Sequence, residues 1–326
     1  MAEKITTRLQ RLLREPKVLQ MPGGFSPIAA RMCEVAGYES FFLAGSQTGA
    51  FVYGVPDVGI LDRGDMTLAA QRCAAGCNIP VFVDSDTGYG NSINVYHSVQ
   101  GYIRAGAAGL HLEDQDFPKR SGTAGGRRCI SKEEAALKYK AAMAAKQELD
   151  PDFVICARCD LIGAENGSFE EAVERCIYYV EEAGVDLIWL NNIQTAEECR
   201  IASERIPGPV IPHFAGPPPA PSMQDLEDWG VAAIIYPGMT TGIGLQATWE
   251  YINDFKERGD AANRAAREHF TGKWGSVRFD TFATPGKDLV DAIERDYLLA
   301  DQQRDYETTF GHYGMDGRPT KEEAGA

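Results

Sequence analysis

The sequence has no long hydrophobic segment, since no apolar run approaches the roughly 18 residues of a membrane-spanning helix. Its start, MAEKITTRLQRLLREP, is a charged helical pattern without the apolar centre of a signal peptide. Positive charge is scarce: 32 Lys and Arg against 47 Asp and Glu give a formal net charge of −15. This excess of negative charge argues against nucleic acid or an anionic membrane as a partner.

Cysteine is too thinly spread to frame a disulfide scaffold. Eight cysteines are scattered over 326 residues, which is typical of reduced thiols and predicts a cytoplasmic protein. One pair, Cys156 and Cys159, has the C-x-x-C spacing. It lies inside an apparent strand, where positions three apart face opposite sides, so we predict no metal or redox role for it.

Short apolar runs alternate with amphipathic helical stretches along most of the chain. The predicted strands are Val18–Met21, Ser40–Leu43, Val81–Asp84, Gly109–Leu112, Phe153–Arg158, Leu187–Leu190, Val210–Ile211 and Ala232–Tyr236. The predicted helices are Pro27–Ala36, Met66–Cys77, Val95–Ala105, Lys132–Glu148, Phe169–Ala183, Thr195–Arg205, Met223–Trp229 and Leu245–Arg258.

Eight such units over roughly 250 residues predict an α/β fold, a (β/α)₈ TIM barrel over residues 1–258. A doubly wound sheet is the alternative, but no G-x-G-x-x-G follows the first strand. Residues 259–326 form a predicted helical extension that packs on the barrel or on a neighbouring subunit. We expect its tail to fray from about Asp316.

Acidic side chains stand where several predicted strands end. In VFVDSDTGYG, Asp84 and Asp86 are two apart, which points both carboxylates to one side of an extended chain. Glu113 ends the next strand, and Asp57 lies in a loop beside them. Strand ends converge on one mouth of a barrel, so these acids predict a Mg²⁺ site completed by water, with Mn²⁺ also possible. For an isolated D-x-D, a solvated acidic turn is the alternative.

Other polar residues are predicted to face the same mouth. Arg158 ends the fifth strand, and its planar fork matches a substrate carboxylate, although it could instead pair with one of the acids. Gly45 and Ser46 offer backbone N–H groups to a carboxylate or enolate oxygen. His111 is predicted to be a satisfied interior histidine that orients a carboxylate. His213 is equally a structural or a catalytic candidate.

The segment Asp116–Ile130, DFPKRSGTAGGRRCI, is long, basic and rich in glycine. Its position beside the mouth predicts a lid that closes over an anionic ligand and excludes water, with a solvated connection as the alternative. We call this segment the lid.

Four motifs in this order resemble the isocitrate lyase/phosphoenolpyruvate mutase superfamily. They are GVPDVG at Gly54–Gly59, DSDTGYG at Asp84–Gly90, LEDQDFPKRSG at Leu112–Gly122 and CARCD at Cys156–Asp160. The resemblance covers roughly 18–258 and implies a (β/α)₈ barrel, Mg²⁺ and small 2-oxo or 2-hydroxy carboxylate substrates. It also implies a C-terminal helix exchanged between paired subunits, usually in a tetramer. Carried across by motif, Asp57, Asp84, Asp86 and Glu113 would be the metal-site acids, while Gly45, Ser46 and Arg158 would hold the oxo-acid end of the substrate.

The lid departs from this resemblance. Lyase members typically carry K-[KR]-C-G-H there, with the Cys as proton donor or base, whereas this chain has Lys119, Arg120, Ser121, Gly122 and Thr123. A serine hydroxyl is a far weaker acid than a thiol. Asn191 stands where methylisocitrate lyases have Glu. The resemblance therefore indicates a divergent, methylisocitrate lyase-like subgroup. Its catalytic candidates are Lys119, Arg120, Ser121, Arg158 and His213, with Asn191 as a substrate-binding residue.

The expected function is a Mg²⁺-dependent C–C lyase. It would cleave a small 2-hydroxy di- or tricarboxylic acid, similar to methylisocitrate or dimethylmalate, to pyruvate or another 2-oxo acid through a metal-stabilised enolate. The superfamily's lyases favour the E-D-Q sequence that this chain has at 113–115. His213 or a metal-bound water could supply the proton.

Two other classes of function stay open. One is a decarboxylase or hydrolase of a 2-oxo acid, or a P–C acting enzyme, since Lys119, Arg120, Arg127 and Arg128 in the lid would suit a dianion or phosphonate. The other is a barrel that binds oxo acids without turnover.

Overall fold

The structure is a computed structural model that describes residues 3–270, 282 and 286–304. The strands are β1 Leu19–Gly24, β2 Phe41–Leu43, β3 Val81–Asp84, β4 Gly109–Glu113, β5 Val154–Cys159, β6 Leu187–Ile193, β7 Val210–Phe214 and β8 Ala233–Tyr236. The helices up to residue 258 are α1 Ile5–Leu12, α2 Pro27–Val35, α3 Gly45–Thr48, α4 Arg63–Gly76, α5 Ser92–Arg104, α6 Lys132–Leu149, α7 Phe169–Ala183, α8 Ala196–Arg205, α9 Met223–Asp228 and α10 Met239–Arg258.

All eight strands lie in one sheet in the order β7-β6-β5-β4-β3-β2-β1-β8, and all seven pairings are parallel. No ladder joins β7 to β8 within the described residues, but the Ala232 N–H donates to the Val210 carbonyl at 3.1 Å. The barrel wall is therefore nearly closed, which confirms the predicted (β/α)₈ fold.

The hydrophobic core has two layers, as expected for a barrel. Inward-facing side chains such as Met21, Phe42 and Trp189 form one cluster, which also includes Leu9 and Leu12 of α1. Outward-facing strand residues pack against the surrounding helices in a second cluster. Cys156 belongs to the inner cluster and Cys159 to the outer one, as the strand alternation predicted, and all eight cysteines are free.

The helix starts follow capping chemistry. Ser26, Asp62, Asn91, Ser131, Ser168, Thr195 and Ser222 each accept a hydrogen bond from a backbone N–H of the first turn of the helix that follows. The sequence placed the start of α4 at Met66, which is three residues late, because Asp62 forms a capping box with Asp65.

The larger differences from prediction lie near the mouth. The glycine-rich stretch after β2 is helical, comprising α3 and a π-helical turn at Gly49–Tyr53. The strand β6 continues through Asn191 to Ile193. The strand β1 continues to Gly24, because a glycine at position 23 permits close approach: a Cβ there would lie 2.5 Å from the Pro237 carbonyl oxygen.

The chain divides into two compact units, Met1–Glu250 and Tyr251–Ala326. Within the second unit, α11 spans Asp260–Phe270 and α12 spans Lys287–Tyr297. The predicted boundary at residue 258 stays a prediction, and the predicted frayed tail from Asp316 lies outside the described residues. None of the helices in the described part of the chain is long and apolar enough to cross a membrane.

Candidate active site

Asp84, at the end of β3, is held from both sides by backbone amides. The Gly45 N–H donates to its Oδ2 at 3.0 Å, and the Asp86 N–H donates to its Oδ1 at 3.0 Å. Burial alone would raise the pKa of Asp84, but the nearby His111 ring and the charges of Lys119 and Arg158 lower it to about 2. Asp84 is therefore ionised, and the Gly45 amide serves this carboxylate.

Lys119 of the lid lies between two of the predicted metal-site acids. Its Nζ is 2.5 Å from Asp57 Oδ1 and 2.7 Å from Asp86 Oδ1. Burial raises the pKa of Asp86 to about 6, although the Lys119 charge opposes the rise. Burial disfavours the charged amine, but the surrounding carboxylates outweigh it and hold the pKa of Lys119 well above its usual range. The ammonium group is thus a permanent countercharge at the mouth.

Arg158 is shared between two carboxylates. Its Nη1 is 3.2 Å from Glu113 Oε2, and its Nε is 2.8 Å from Asp160 Oδ2. Its Nη2 donates to Asp160 Oδ1 at 3.0 Å, and the guanidinium lies over the Trp189 ring at 4.8 Å. Burial raises the pKa of Glu113 well above its usual range, even though Arg158 and Lys119 oppose this.

A guanidinium has five N–H donors, so these contacts leave Arg158 able to bind a further carboxylate. Arg158 therefore pairs with acids and still has donors for a substrate carboxylate, so the two roles that the sequence allows are compatible. Asp160 was not anticipated as its partner. The signal was the spacing of two residues in C-A-R-C-D.

The lid lies closed over Arg158. A Cβ on Gly122 would lie 2.1 Å from Arg158 Nη2 and 2.7 Å from Asn191 Nδ2, so a larger residue here would have to displace these side chains. Asn191 Nδ2 donates to the Gly122 carbonyl at 3.1 Å and to Asp160 Oδ1 at 2.6 Å. Asn191 therefore joins the lid to the group that positions Arg158.

Two further residues hold the lid in position: Gln115, and Arg127, which the sequence suggested for a dianionic ligand but which instead bonds backbone carbonyls. Gln115 Nε2 donates to Glu113 Oε1 at 3.0 Å and to the Arg120 carbonyl at 2.9 Å, while its Oε1 accepts the Arg120 N–H at 3.0 Å. Arg127 is buried and donates to the carbonyls of Gly122, Ala124 (3.0 Å) and Ile162 (2.5 Å). The E-D-Q motif pointed to Gln115, because residues two apart on a strand share a face.

The structure does not bring every predicted lid residue to the acids. Arg120 is exposed, and its Nη1 donates to the carbonyls of Pro118 (3.1 Å) and Lys119 (3.0 Å). Arg128 pairs with Glu165 at 2.8 Å on the surface. Gln115 bonds the backbone N–H and carbonyl of Arg120, and the Arg120 guanidinium lies on the exposed side of the lid, away from the acids. Ser121 is half-buried and immediately precedes the lid glycine.

The two interior histidines are neutral at physiological pH. Burial lowers the pKa of His213 to about 4, with the Arg158 charge acting in the same direction. Burial also lowers the pKa of His111 to about 4, although Asp84 opposes it. His111 is an interior histidine beside a carboxylate, as predicted, with its Nε2 3.4 Å from Asp84 Oδ1, but neither ring nitrogen makes a hydrogen bond among the described residues.

Cys129 does not replace the missing lid cysteine. Its thiol donates to Asp114 Oδ1 at 3.5 Å, and burial raises its pKa well above the usual range, with Asp114 adding to the effect. Asp114 also accepts from Tyr179 Oη at 2.7 Å and from the Asp160 N–H at 2.9 Å. Cys129 thus belongs to a buried structural network behind the site.

The donor set fits a hard divalent cation. Two cations, Lys119 and Arg158, face five acidic side chains, those of Asp57, Asp84, Asp86, Glu113 and Asp160. Even with Glu113 protonated, as its raised pKa favours, the remaining four carboxylates exceed the two cations. In the described part of the chain, no three His, Cys, Asp or Glu side chains are arranged around one ion position. Mg²⁺ commonly takes only one or two protein carboxylates directly and keeps several waters. Oxygen ligands from Asp84 and Asp86 suit that chemistry.

Comparison with known proteins gives the family. The family model described as phosphoenolpyruvate phosphomutase matches residues 9–256. A 2,3-dimethylmalate lyase of Eubacterium barkeri is 34% identical over 242 residues, which is 74% of this chain and 82% of the relative. A 2-methylisocitrate lyase of Halalkalibacterium halodurans is 31% identical over 295 residues, 89% of this chain and 95% of the relative.

The solved structure of a phosphonopyruvate hydrolase in complex with oxalate and Mg²⁺ is also similar. It has 27% sequence identity and a TM-score of 0.77, and the match covers 91% of this chain and all of that chain. Together with the mouth of carboxylates under a closed lid, these matches show that the chain is an enzyme of the isocitrate lyase/phosphoenolpyruvate mutase superfamily.

Proposed function

We propose that this enzyme is a Mg²⁺-dependent carbon–carbon lyase that cleaves a small 2-hydroxy carboxylic acid with two or more carboxylates to pyruvate or another 2-oxo acid. The observation that carries the proposal is the arrangement of Asp84 and Asp86 beside Lys119 and Arg158 under a closed lid. The two relatives above, named as lyases of 2,3-dimethylmalate and 2-methylisocitrate, support this choice of reaction.

In this proposal, Asp84 and Asp86 would hold the metal, and Asp57 and Glu113 would add negative charge beside it. Bound Mg²⁺ supplies Lewis-acid stabilisation of negative charge on substrate oxygens. The free N–H groups of Arg158 bind a substrate carboxylate, and the Lys119 ammonium adds positive charge to the pocket. The closed lid excludes water, which strengthens each of these interactions.

The reaction balances without a redox partner or a consumed water. The bond between the hydroxyl-bearing carbon and its neighbour breaks, the hydroxyl loses its proton, and that carbon becomes the oxo carbon of the product. The electron pair stays on the released fragment, which takes up a proton at carbon. His213, being neutral, contributes hydrogen bonding and does not act as an imidazolium acid.

A hydrolase of a 2-oxo acid or phosphonate is the second candidate. It is favoured by the absence of a cysteine between Arg120 and Gly122, and by the similarity to a phosphonopyruvate hydrolase. The surface positions of Arg120 and Arg128 weaken it, because these cations do not reach the mouth where a dianionic group would lie.

We also propose a homo-oligomer, a tetramer with an exchanged C-terminal helix. Apolar side chains at the start of α10 support this, since Ile243 is 80% exposed and Leu245 is 58% exposed. Light scattering coupled to gel filtration measures the mass, and a monomer of 35.6 kDa would contradict the proposal.

The test of the proposed reaction is a turnover screen with and without Mg²⁺. It follows release of 2-oxo acid from citramalate, 2,3-dimethylmalate, methylisocitrate and isocitrate, and consumption of oxaloacetate and phosphonopyruvate. Mg²⁺-dependent 2-oxo acid release from a hydroxy acid is the expected result. Consumption of oxaloacetate or phosphonopyruvate alone would move the assignment to the hydrolase. No turnover, with oxalate raising the melting temperature, would favour an oxo-acid binder.

A further inference from the structure

A cavity of about 710 Å³ opens at the seam between β7 and β8, where no strand ladder closes the wall within the described residues. Its size lies within the range of small-molecule sites. The lining side chains include Ile211, His213, Phe214, Ile235, Pro237 and Met239. No Asp, Glu, Lys or Arg is among the described residues that line it.

Trp189 connects this cavity to the candidate active site. The Arg158 guanidinium lies 4.8 Å from the centre of the Trp189 ring, and the ring of His213 lies 5.5 Å from it. His213 belongs to the cavity lining, and its Nδ1 is buried without a hydrogen-bond partner among the described residues. Arg158 and His213, a lining residue of the cavity, therefore pack on the same ring, which places the cavity next to the candidate active site.

The chemistry of the lining selects against charge on that substituent. A carboxylate placed there would lose its hydration without meeting a cation, which is costly. The cations of the lid are engaged elsewhere: Lys119 pairs with Asp57 and Asp86, Arg127 is bound to three backbone carbonyls, and Arg120 and Arg128 are exposed. An alkyl chain, in contrast, would gain free energy from each methylene removed from water.

We propose that this cavity binds an apolar substituent of the substrate, so that the enzyme prefers 2-hydroxy dicarboxylates with an alkyl chain at the neighbouring carbon over tricarboxylates. The reaction in this statement rests on the proposed lyase function. The assignment of an apolar subsite does not, because binding without turnover can test it.

The sharpest comparison uses two compounds of the same shape and different charge. Isocitrate is malate with a carboxymethyl group at carbon 3, and 3-isobutylmalate has an isopropyl group in place of that carboxylate, with two methyl groups where the two oxygens stand. We expect kcat/KM to be at least tenfold higher for 3-isobutylmalate. From 3-methylmalate to 3-isobutylmalate, it should rise about fourfold for each added carbon.

A protein variant that introduces a charge into the cavity gives a second test of the assignment. Met239 lines the cavity and is 44% exposed, so Met239→Arg should be accommodated. It is expected to lower kcat/KM for 3-isobutylmalate at least tenfold and to raise it for isocitrate. Ile93→Arg, at a position on α5 that is 69% exposed and does not line the cavity, should change neither value.

The shift in melting temperature with Mg²⁺ and each compound gives a readout that needs no turnover. Greater stabilisation by 3-isobutylmalate than by isocitrate, reversed in Met239→Arg, supports the inference even if neither compound is cleaved. Equal stabilisation, or a preference for isocitrate, overturns it. If Met239→Arg changes the oligomeric state but still prefers 3-isobutylmalate to isocitrate, both in kcat/KM and in stabilisation, a second copy of the chain fills the cavity. That result also overturns the inference. Failure of oxalate to raise the melting temperature counts against the proposed function alone.

Discussion

Two neighbouring basic residues of the lid have opposite environments. Lys119 is 3% exposed and faces two carboxylates, whereas Arg120 is exposed and contacts backbone carbonyls of the lid. Gln115 explains the difference, because it bonds both the N–H and the carbonyl of Arg120 and so fixes the direction of the chain there. Charge type alone therefore does not assign a role in this lid.

Substitution of these two residues should separate their contributions. Lys119→Met removes the countercharge of Asp57 and Asp86, and we expect kcat to fall about 100-fold or more. Arg120→Met, the matched control, should keep kcat within about twofold. Steady-state kinetics at saturating Mg²⁺, with circular dichroism to verify folding, measures both. Equal losses in the two variants would contradict the geometry.

His213 makes stability depend on pH. Its pKa is about 4 in the folded protein and near 6.5 when unperturbed, with burial as the main cause. Between these values the unfolded chain takes up a proton that the folded one does not, so stability is full above pH 6.5 and falls as the pH drops toward 4. For this one group the loss is about 3 kcal/mol at most.

His213→Gln should therefore reduce the pH dependence of the free energy of unfolding. Urea unfolding of the parent and the variant at pH 7.5 and pH 4.5 measures it, and the difference between the proteins removes the contribution of other groups. His97→Gln, at an exposed position on α5, controls for loss of a histidine and should keep the parent dependence. An unchanged dependence in His213→Gln would count against the neutral, buried state.

At the scale of elements, the lid is held by side chains bonded to its backbone. Arg127 donates to carbonyls at Gly122, Ala124 and Ile162, so it ties one part of the lid to another and to the chain after β5. Asn191 of β6 adds a bond to Gly122. The lid is thus closed by hydrogen bonds to peptide groups, whereas Arg128 contributes only a surface ion pair.

Loss of Arg127 should loosen the lid and leave the barrel intact. Arg127→Met removes three backbone contacts, and we expect KM to rise about tenfold or more, with a smaller change in kcat. Arg128→Met removes only the ion pair with Glu165, so its KM and kcat should stay within about twofold of the parent values. Kinetics and limited proteolysis at 116–130 check this. Equal proteolysis of parent and Arg127→Met would contradict the role of Arg127 in holding the lid.

At the scale of the whole molecule, the barrel gathers like charges from distant parts of the sequence. Asp57, Asp84 and Glu113 come from different βα units, and two cations do not neutralise the cluster. Such a cluster weakens the fold through repulsion and desolvation, and a divalent cation bound there would relieve both.

Mg²⁺ should therefore raise the melting temperature. At about 100 times its dissociation constant, binding contributes about 2.7 kcal/mol, which corresponds to roughly 4 °C for a chain of this size. Asp84→Asn and Asp86→Asn should abolish the shift, whereas Glu204→Gln on α8 should keep it. Scanning fluorimetry at constant ionic strength measures this, and an equal shift with NaCl alone would contradict a specific site.

Hydrophobic periodicity and strand-end chemistry predicted the barrel and the acids because both are local. Strand β3 was predicted with its observed bounds, and Asp84 lies at its end because strand and turn signals are contained in ten residues. Helix starts were less accurate where a cap such as Asp62 precedes the apolar pattern. The superfamily was recognisable for the same reason, since its motifs are short contiguous stretches.

What the sequence by itself determined is the fold, the carboxylates at the mouth and the presence of a lid. Only the tertiary structure decided that Arg158 is shared between Glu113 and Asp160, that Lys119 enters the acid cluster while Arg120 does not, and that an uncharged cavity adjoins Trp189. The direction of a side chain in a loop depends on bonds to residues far along the chain, as from Arg127 to Ile162. No local pattern of residues encodes such contacts.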